Sequence, residues 1–275
     1  MERFGYFETP LYPFKIYHLS LMNPNKLYQD SFYKSRNSET ENSAIEILSL
    51  LFSFFKPNSM VDFGCGVGTW LKTGNNLGVR EILGIEGEWL KSEYLVIPQT
   101  AFLTNNLTSK IILSRKFDLA ISLEVAEHIE EKYSKVFIEN LTKASDVVLF
   151  SAAIPGQRGS GHVNEQWPDY WIKKFKEKDY LPLDLIRPKI WQNDNIKTWY
   201  KQNTILFVKR ERLEGIPELK AYFDPLKSNW SLVHPSTFLR QIEISHPKYS
   251  SLSKLIKSFP VVFLNSIKSN IKKLI

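Results

Sequence analysis

The 275-residue chain carries a formal net charge of +7 and a single cysteine, Cys65, which excludes a disulfide framework and any cysteine-built metal cluster. Its apolar and charged fractions are those of an ordinary globular protein, and no apolar run reaches the roughly 20 residues that a membrane-spanning helix needs. The basic balance points to an anionic partner, and the polar, aromatic N-terminus without a signal-type apolar stretch sets the expectation of a cytoplasmic location.

Residues 1–40 are turn-rich and aromatic without a clean period, which predicts an N-terminal arm or lid, the alternative being a surface wrap that only packs. From Glu41 to Phe55, apolar residues at Ile45, Leu48, Leu51 and Phe55 give helical spacing. The chain then predicts a strand at Ser59–Phe63, a helix at Thr69–Gly78, a strand at Glu81–Ile85, a short helix at Glu88–Tyr94 and a short strand at Ala101–Thr104. A mostly apolar strand at Phe117–Leu123 precedes a helix expected from about Val125 through Lys143, and Asp146–Ala153 reads as another apolar strand. Strand–helix alternation with buried-type strands predicts a parallel α/β sheet with helices on both faces. A polar loop, Gly156–Asn164, leads to a helix at Pro168–Lys178 with proline in its first turn. Tyr180–Trp191 and Asn203–Val208 read as two strands of an edge hairpin. Residues 41–210 thus read as one α/β domain. Prolines punctuate the remainder, 211–275, as short helices of a C-terminal extension. Its last helix, Val261–Ile275, is amphipathic and basic, suited to a membrane surface, a dimer mate or its own domain.

Two stretches carry chemistry. In Val61-Asp62-Phe63-Gly64-Cys65-Gly66-Val67-Gly68-Thr69-Trp70 a strand ends in an acid and a tight glycine turn and enters a helix, so a ligand can lie against bare backbone at a positive helix end. The spacing is G-x-G-x-G and not the dinucleotide G-x-G-x-x-G. Asp62 would face a pyrophosphate badly but suits an ammonium. Glu86, at the end of the second strand in Gly84-Ile85-Glu86-Gly87, stands where a carboxylate accepts ribose hydroxyls. A ligand with ribose, adenine, an ammonium and a carboxylate but no phosphate is S-adenosylmethionine.

Together with Asn106-Leu107 and Phe117-Asp-Leu-Ala-Ile-Ser-Leu-Glu-Val-Ala-Glu-His128, these motifs make roughly residues 40–210 resemble the class I S-adenosylmethionine-dependent methyltransferases. The resemblance implies a Rossmann-like, seven-stranded sheet whose last strand is antiparallel. It implies that Asp62, Gly64, Gly66 and Gly68 hold the methionine end, Glu86 the ribose, and Asn106 and Leu107 the adenine, with Trp70, Gly87 and Leu123 also in the cofactor site. The family usually has aspartate where this chain has Asn106. A Rossmann-like fold with another ligand is the alternative.

The second stretch is Glu124-Val-Ala-Glu127-His128, after the fourth strand. On a helix, i, i+3 and i+4 would place both carboxylates and the imidazole on one face. The loop ending in His162-Val-Asn164-Glu165-Gln166-Trp167 could bring His162 over the same spot. Such donors suit Mg²⁺, Mn²⁺ or Fe²⁺, making Glu124, Glu127, His128 and His162 a candidate metal set. The E-x-x-E-H…H pattern is similar to that of small-RNA 3′-terminal 2′-O-methyltransferases, and its E-x-x-E-H part to ubiquinone-biosynthesis O-methyltransferases. That resemblance implies a Mg²⁺ or Mn²⁺ ion holding the accepting hydroxyl. The alternative is that Glu124 or Glu127 only hydrogen-bonds the loop, and that His162 or His128 is the general base. Asn164, Glu165, Gln166, Trp167, Tyr170 and Trp171 are candidate substrate residues, with the aromatic rings either a platform or packing. Arg158, Arg187 and Lys189 are candidates for meeting a phosphate.

The expected function is O-methylation of a small sugar-like, phosphorylated or nucleotide-linked acceptor in surface-glycan or secondary-metabolite biosynthesis, an association that the His162 loop's likeness to bacterial methyltransferases implies. The alternatives are RNA 3′-terminal 2′-O-methylation, disfavoured because no RNA-binding module or arginine-rich stripe is visible, and a non-catalytic scaffold binding a membrane or protein. No motif for DNA base methylation follows the fourth strand.

Overall fold

The computed structural model describes residues 30–245; the expected arm up to residue 29 and the expected helix at 261–275 lie outside them. One seven-stranded sheet runs through the described residues, in the order β3-β2-β1-β4-β5-β7-β6. The strands are β1 (Ser59–Phe63), β2 (Glu81–Glu86), β3 (Phe102–Thr104), β4 (Leu119–Leu123), β5 (Val147–Ser151), β6 (Tyr180–Leu183) and β7 (Ile205–Lys209). Neighbours are parallel from β3 to β5, and β7 is antiparallel to both β5 and β6. This is the sheet that the methyltransferase resemblance implies, and the fold is α/β and Rossmann-like.

Alternation along the strands sorts side chains into two cores. Leu119 and Ile121 of β4, Leu149 of β5 and Leu206 and Val208 of β7 pack on one face with Ile47, Leu48 and Leu51 of α1 (Asp30–Phe52) and Leu71 of α2 (Thr69–Asn76). Ala120, Val148, Phe150 and Phe207 point the other way, against Phe137, Ile138 and Leu141 of α3 (Ser134–Ala144) and Trp171, Ile172 and Phe175 of α4 (Pro168–Lys176). Because both faces are covered, β1, β4 and β5 are buried at every position, hence their continuous apolar character.

Several boundaries differ from expectation. The helix expected from Glu41 begins at Asp30, eleven residues earlier. Glu88–Tyr94 forms only a 3₁₀ turn at Ser92–Tyr94. The expected hairpin is not simple, because α5 (Arg187–Ile190) and α6 (Thr198–Asn203) fill the connection between β6 and β7. The helix expected from Val125 is broken into 3₁₀ turns at Ala126–His128 and Glu131–Tyr133, and α3 starts at Ser134. The interruption lies at Ile129 and Glu130, whose ψ values of 122° and 142° are extended, while Glu124, just before the expected helix, is left-handed at φ 58° and turns the chain sharply out of β4. Further short helices follow β7, at Arg210–Glu214 and Pro217–Lys220, and an eleven-residue helix at Pro235–Ser245. No helix among the described residues is long and apolar enough to cross a membrane.

Candidate active site at the carboxyl edge of the sheet

The strand order reverses between β1 and β4, and crevices for ligands in open parallel sheets lie at the carboxyl ends beside such a reversal. At the end of β1, Gly64, Gly66 and Gly68 all take left-handed φ, at 84°, 52° and 91°. Their surroundings differ. A Cβ on Gly64 would stand 2.5 Å from Val125 Cγ2, and one on Gly68 2.9 Å from Ile97 Cγ1, whereas one on Gly66 would meet nothing within 4 Å. Gly64 and Gly68 therefore let the turn pack; Gly66 is the bare position over open space.

Two buried acids flank that turn. Glu86 accepts the backbone N–H of Gly66 at Oε2 and that of Gly87 at Oε1, both at 2.9 Å. Burial raises its pKa, and those two hydrogen bonds partly offset the rise. Burial, with the Glu86 charge nearby, pushes Asp62 well above the usual carboxylate range. A cation placed between two such acids would relieve both, which fits the ammonium of the donor inferred from the sequence. Leu107 is buried in the core beside Val61 and Ile85. Asn106 is exposed, and its Oδ1 is taken by the Thr108 N–H and hydroxyl at 2.9 and 2.7 Å. Leu123 is the buried last residue of β4. Trp70 is buried and meets Tyr200 edge to face at 5.2 Å, so its ring belongs to the core. Cys65 is buried and free.

The acceptor side is built from the ends of β4 and β5. Glu127, His128 and His162 bring one ligand atom each to within 4.8 Å of one another. Glu127 is 1% exposed, and neither carboxylate oxygen has a hydrogen-bond partner; burial first, and the Glu124 charge second, raise its pKa well above the usual range. An unpartnered, buried carboxylate is costly unless a proton or a cation satisfies it, so these three residues fit a divalent ion. Glu124 stands apart from them. Its left-handed backbone sends the carboxylate to Gln157 Nε2 at 2.8 Å and Asn203 Nδ2 at 3.0 Å, and the shared helical face expected for Glu124, Glu127 and His128 does not form. One carboxylate and two imidazoles suit Fe²⁺ or another first-row transition ion better than Mg²⁺, with Mn²⁺ the hardest of that series.

The loop expected to carry His162 does lie over this spot. Val163 and Asn164 both donate backbone N–H bonds to the Glu127 carbonyl, at 2.9 and 3.0 Å. Asn164 is buried and donates to Ser134 Oγ, while Gln166 donates to Asn164 Oδ1. Tyr170 donates to Ser134 Oγ at 3.1 Å, and Trp171 packs against Phe150 in the core. Trp167, 41% exposed, is the aromatic ring of this group left facing outward. Arg187 is buried and bonds both oxygens of Asp184 at 2.7 and 2.8 Å, so it holds the fold and not a phosphate. Lys189 lies over the Phe54 and Tyr222 rings, and Arg158 is exposed.

Sequence reasoning missed Gln157, Gln202 and Asn203. Asn203 Nδ2 and Gln202 Nε2 both donate to Gln157 Oε1, at 2.9 and 3.2 Å, and Gln202 Oε1 receives the His234 N–H. The amides hold Glu124 in place from 33 and 79 positions away. The one available signal was the polar pair Gln202-Asn203 directly before an apolar strand.

No protein-family model and no curated protein matches the chain. Among solved structures it is similar to the sugar N-methyltransferase KedS8 from Streptoalloteichus, at 12% identity over 66% of this chain and 92% of that one, with a TM-score of 0.49. It is similar to the plantazolicin methyltransferase BpumL bound to a desmethyl analogue and SAH, at 14% identity over 68% and 91% of the two chains, with a TM-score of 0.46. Human N-acetylserotonin methyltransferase with SAM aligns at 12% identity over 65% and 55%, with a TM-score of 0.46. These are likenesses of fold.

Proposed function

We propose that the protein is an S-adenosylmethionine-dependent O-methyltransferase that acts on a hydroxyl of a small sugar-like, phosphorylated or nucleotide-linked acceptor, in surface-glycan or secondary-metabolite biosynthesis. One observation carries the reading. A buried acid pair suited to a cationic donor and a carboxylate–imidazole cluster suited to an acceptor hydroxyl lie at the same edge of the sheet, on the two sides of the β1/β4 reversal.

When bound, the donor supplies an activated methyl group, and a divalent ion supplies the Lewis acidity that eases deprotonation of the hydroxyl. The chain supplies placement. Asp62 and Glu86 orient the donor through its ammonium and ribose, and Gly66 lets it approach the backbone. Glu127, His128 and His162 hold the ion, and the loop clamped to the Glu127 carbonyl closes the acceptor side. The Glu124–Gln157–Asn203 network and the exposed Trp167 ring line the approach to a polyhydroxyl acceptor.

The test is mass spectrometry of nucleotide sugars, sugar phosphates and RNA 3′ ends incubated with methyl-labelled donor, with and without excess EDTA. Label on a sugar hydroxyl, lost in EDTA and restored by Mn²⁺, is the expected result. Label on RNA ends alone would move the assignment to terminal 2′-O-methylation, and full activity in EDTA would leave His162 or His128 as general base.

A further inference from the structure

The geometry points to Glu165 as the positioning residue of this site: it fixes the tautomer and direction of His162 and does not contact substrate. The proposal rests on the reading of Glu127, His128 and His162 as a cation site. Sequence order gives no reason to separate Glu165 from its polar neighbours. Its bonds do. Glu165 Oε2 accepts the Gly156 N–H at 2.8 Å, and Oε1 accepts both the Arg158 N–H at 2.7 Å and His162 Nδ1 at 2.8 Å. One carboxylate thus closes the loop from 156 to 165 on itself while the Glu127 carbonyl anchors its far end through Val163 and Asn164.

An ionised carboxylate only accepts hydrogen bonds, so His162 Nδ1 carries a proton, and in the neutral ring Nε2 keeps the lone pair. That nitrogen lies 4.0 Å from Glu127 Oε1. His128 obeys the same constraint, because its Nδ1 lies 3.2 Å from the Gly161 carbonyl, which also only accepts. The two rings meet edge to face at 4.9 Å. Both imidazoles therefore turn a protonated Nδ1 to the loop and keep Nε2 as their basic nitrogen, the state in which a neutral histidine ligates a metal. The Gly156 and Arg158 N–H groups can only donate, so they hold the Glu165 oxygens as acceptors beside His162.

The deciding experiment is imidazole ¹⁵N NMR on the metal-free protein, read beside Mn²⁺ and S-adenosylhomocysteine binding by calorimetry for wild type, Glu165→Ala and Glu165→Gln. Wild type should show His162 as the Nδ1–H tautomer; an Nε2–H tautomer there overturns the proposal without any variant. Glu165→Ala should shift the ring to Nε2–H and weaken Mn²⁺ about 10- to 100-fold, the usual loss for a carboxylate behind a ligating histidine. Glu165→Gln keeps one acceptor and should retain the tautomer and most of the affinity. S-adenosylhomocysteine affinity should stay within about twofold throughout, since the donor side is built from other residues. An Ala variant that keeps both tautomer and Mn²⁺ affinity overturns the assignment. A tautomer shift in a protein that never binds Mn²⁺ would sustain Glu165 as the residue that positions His162 and reject the cation reading instead.

Discussion

His162 Nε2 stands 4.0 Å from Glu127 Oε1, beyond hydrogen-bond reach, and the buried Glu127 carboxylate has no other partner. The gap leaves a carboxylate that the folded chain does not satisfy by itself. Glu127→Gln removes a group that resists ionisation, so the metal-free variant should melt no lower than wild type. Relieving even about 1 kcal/mol would raise the midpoint by roughly 2–4 °C in a domain of this size. The stabilisation that Mn²⁺ gives wild type should vanish. Scanning calorimetry with and without Mn²⁺ reads both, and a lower midpoint for the metal-free variant would contradict the assignment.

The same chemistry sets the direction of pH dependence. Asp62, Glu86, Glu124 and Glu127 all have folded pKa values raised above their unfolded ones, burial being the main cause. Across the window between the two values the folded state binds more protons, so stability falls as pH rises through it. Glu139, held down by Lys178, and Glu165 act oppositely, and their contribution is lost as pH falls through their lowered values. The ligand-free protein should therefore melt higher at about pH 5.5 than at about pH 7.5, and donor product plus Mn²⁺ should narrow the difference. A reversed order of midpoints rejects the acid-cluster account.

Donor binding should release protons. Asp62 is held protonated toward higher pH by burial and by Glu86, and an arriving ammonium reverses that bias. Titration calorimetry in two buffers of different ionisation enthalpy should show net proton release in wild type and less of it in Asp62→Asn, with affinity for S-adenosylhomocysteine down by about tenfold or more. Equal release by both proteins would place the proton elsewhere.

Two neighbouring glycines should behave differently. Alanine at either site carries a left-handed penalty of about 1–2 kcal/mol. At Gly64 the new Cβ would also collide with Val125, whereas at Gly66 it enters open space. Gly64→Ala is expected to lose more stability, while Gly66→Ala keeps most of its fold but binds donor product poorly. Chemical denaturation and calorimetry separate the two effects. Comparable losses of stability would remove the distinction drawn between them.

Arg187 supplies the stability test away from the site. It grips Asp184, donates to the Trp230 carbonyl at 2.8 Å, and shares Asp184 with Lys227 at 3.1 Å. Arg187→Ala leaves the buried Asp184 carboxylate to Lys227 alone, so the destabilisation should stay below the about 3–5 kcal/mol usual for a buried charge left with no partner. It should also loosen residues 227–234, seen as faster limited proteolysis after Lys227 than in wild type.

What could be read from the chain depended on range. β1, β4 and β5 announce themselves as short apolar runs because both faces are covered, and Asp62, Gly66 and Glu86 sit in two local motifs that the fold brings together through parallel neighbours. The acceptor side was legible only in part. His162 does approach Glu127 and His128, but the helical spacing assumed for Glu124 failed, because one left-handed residue is invisible to periodicity. The amides that capture Glu124 come from a loop and from α6, where no spacing rule links them. Trp171 and Arg187 show the complementary error: residue type alone invites a functional role that burial withdraws.

Because β7 runs against its neighbours, its leading end stands at the edge where the parallel strands finish. The connection from Asp184 to Thr204 therefore starts and returns at that one edge, and Asn203 reaches Glu124 from it. Within it Arg187 grips Asp184 and Tyr200 packs on Trp70, so the connection is tied to the fold and to the helix that follows the glycine turn. One connection thus couples the two halves of the crevice, since Tyr200 meets the donor-side helix and Asn203 bonds Glu124.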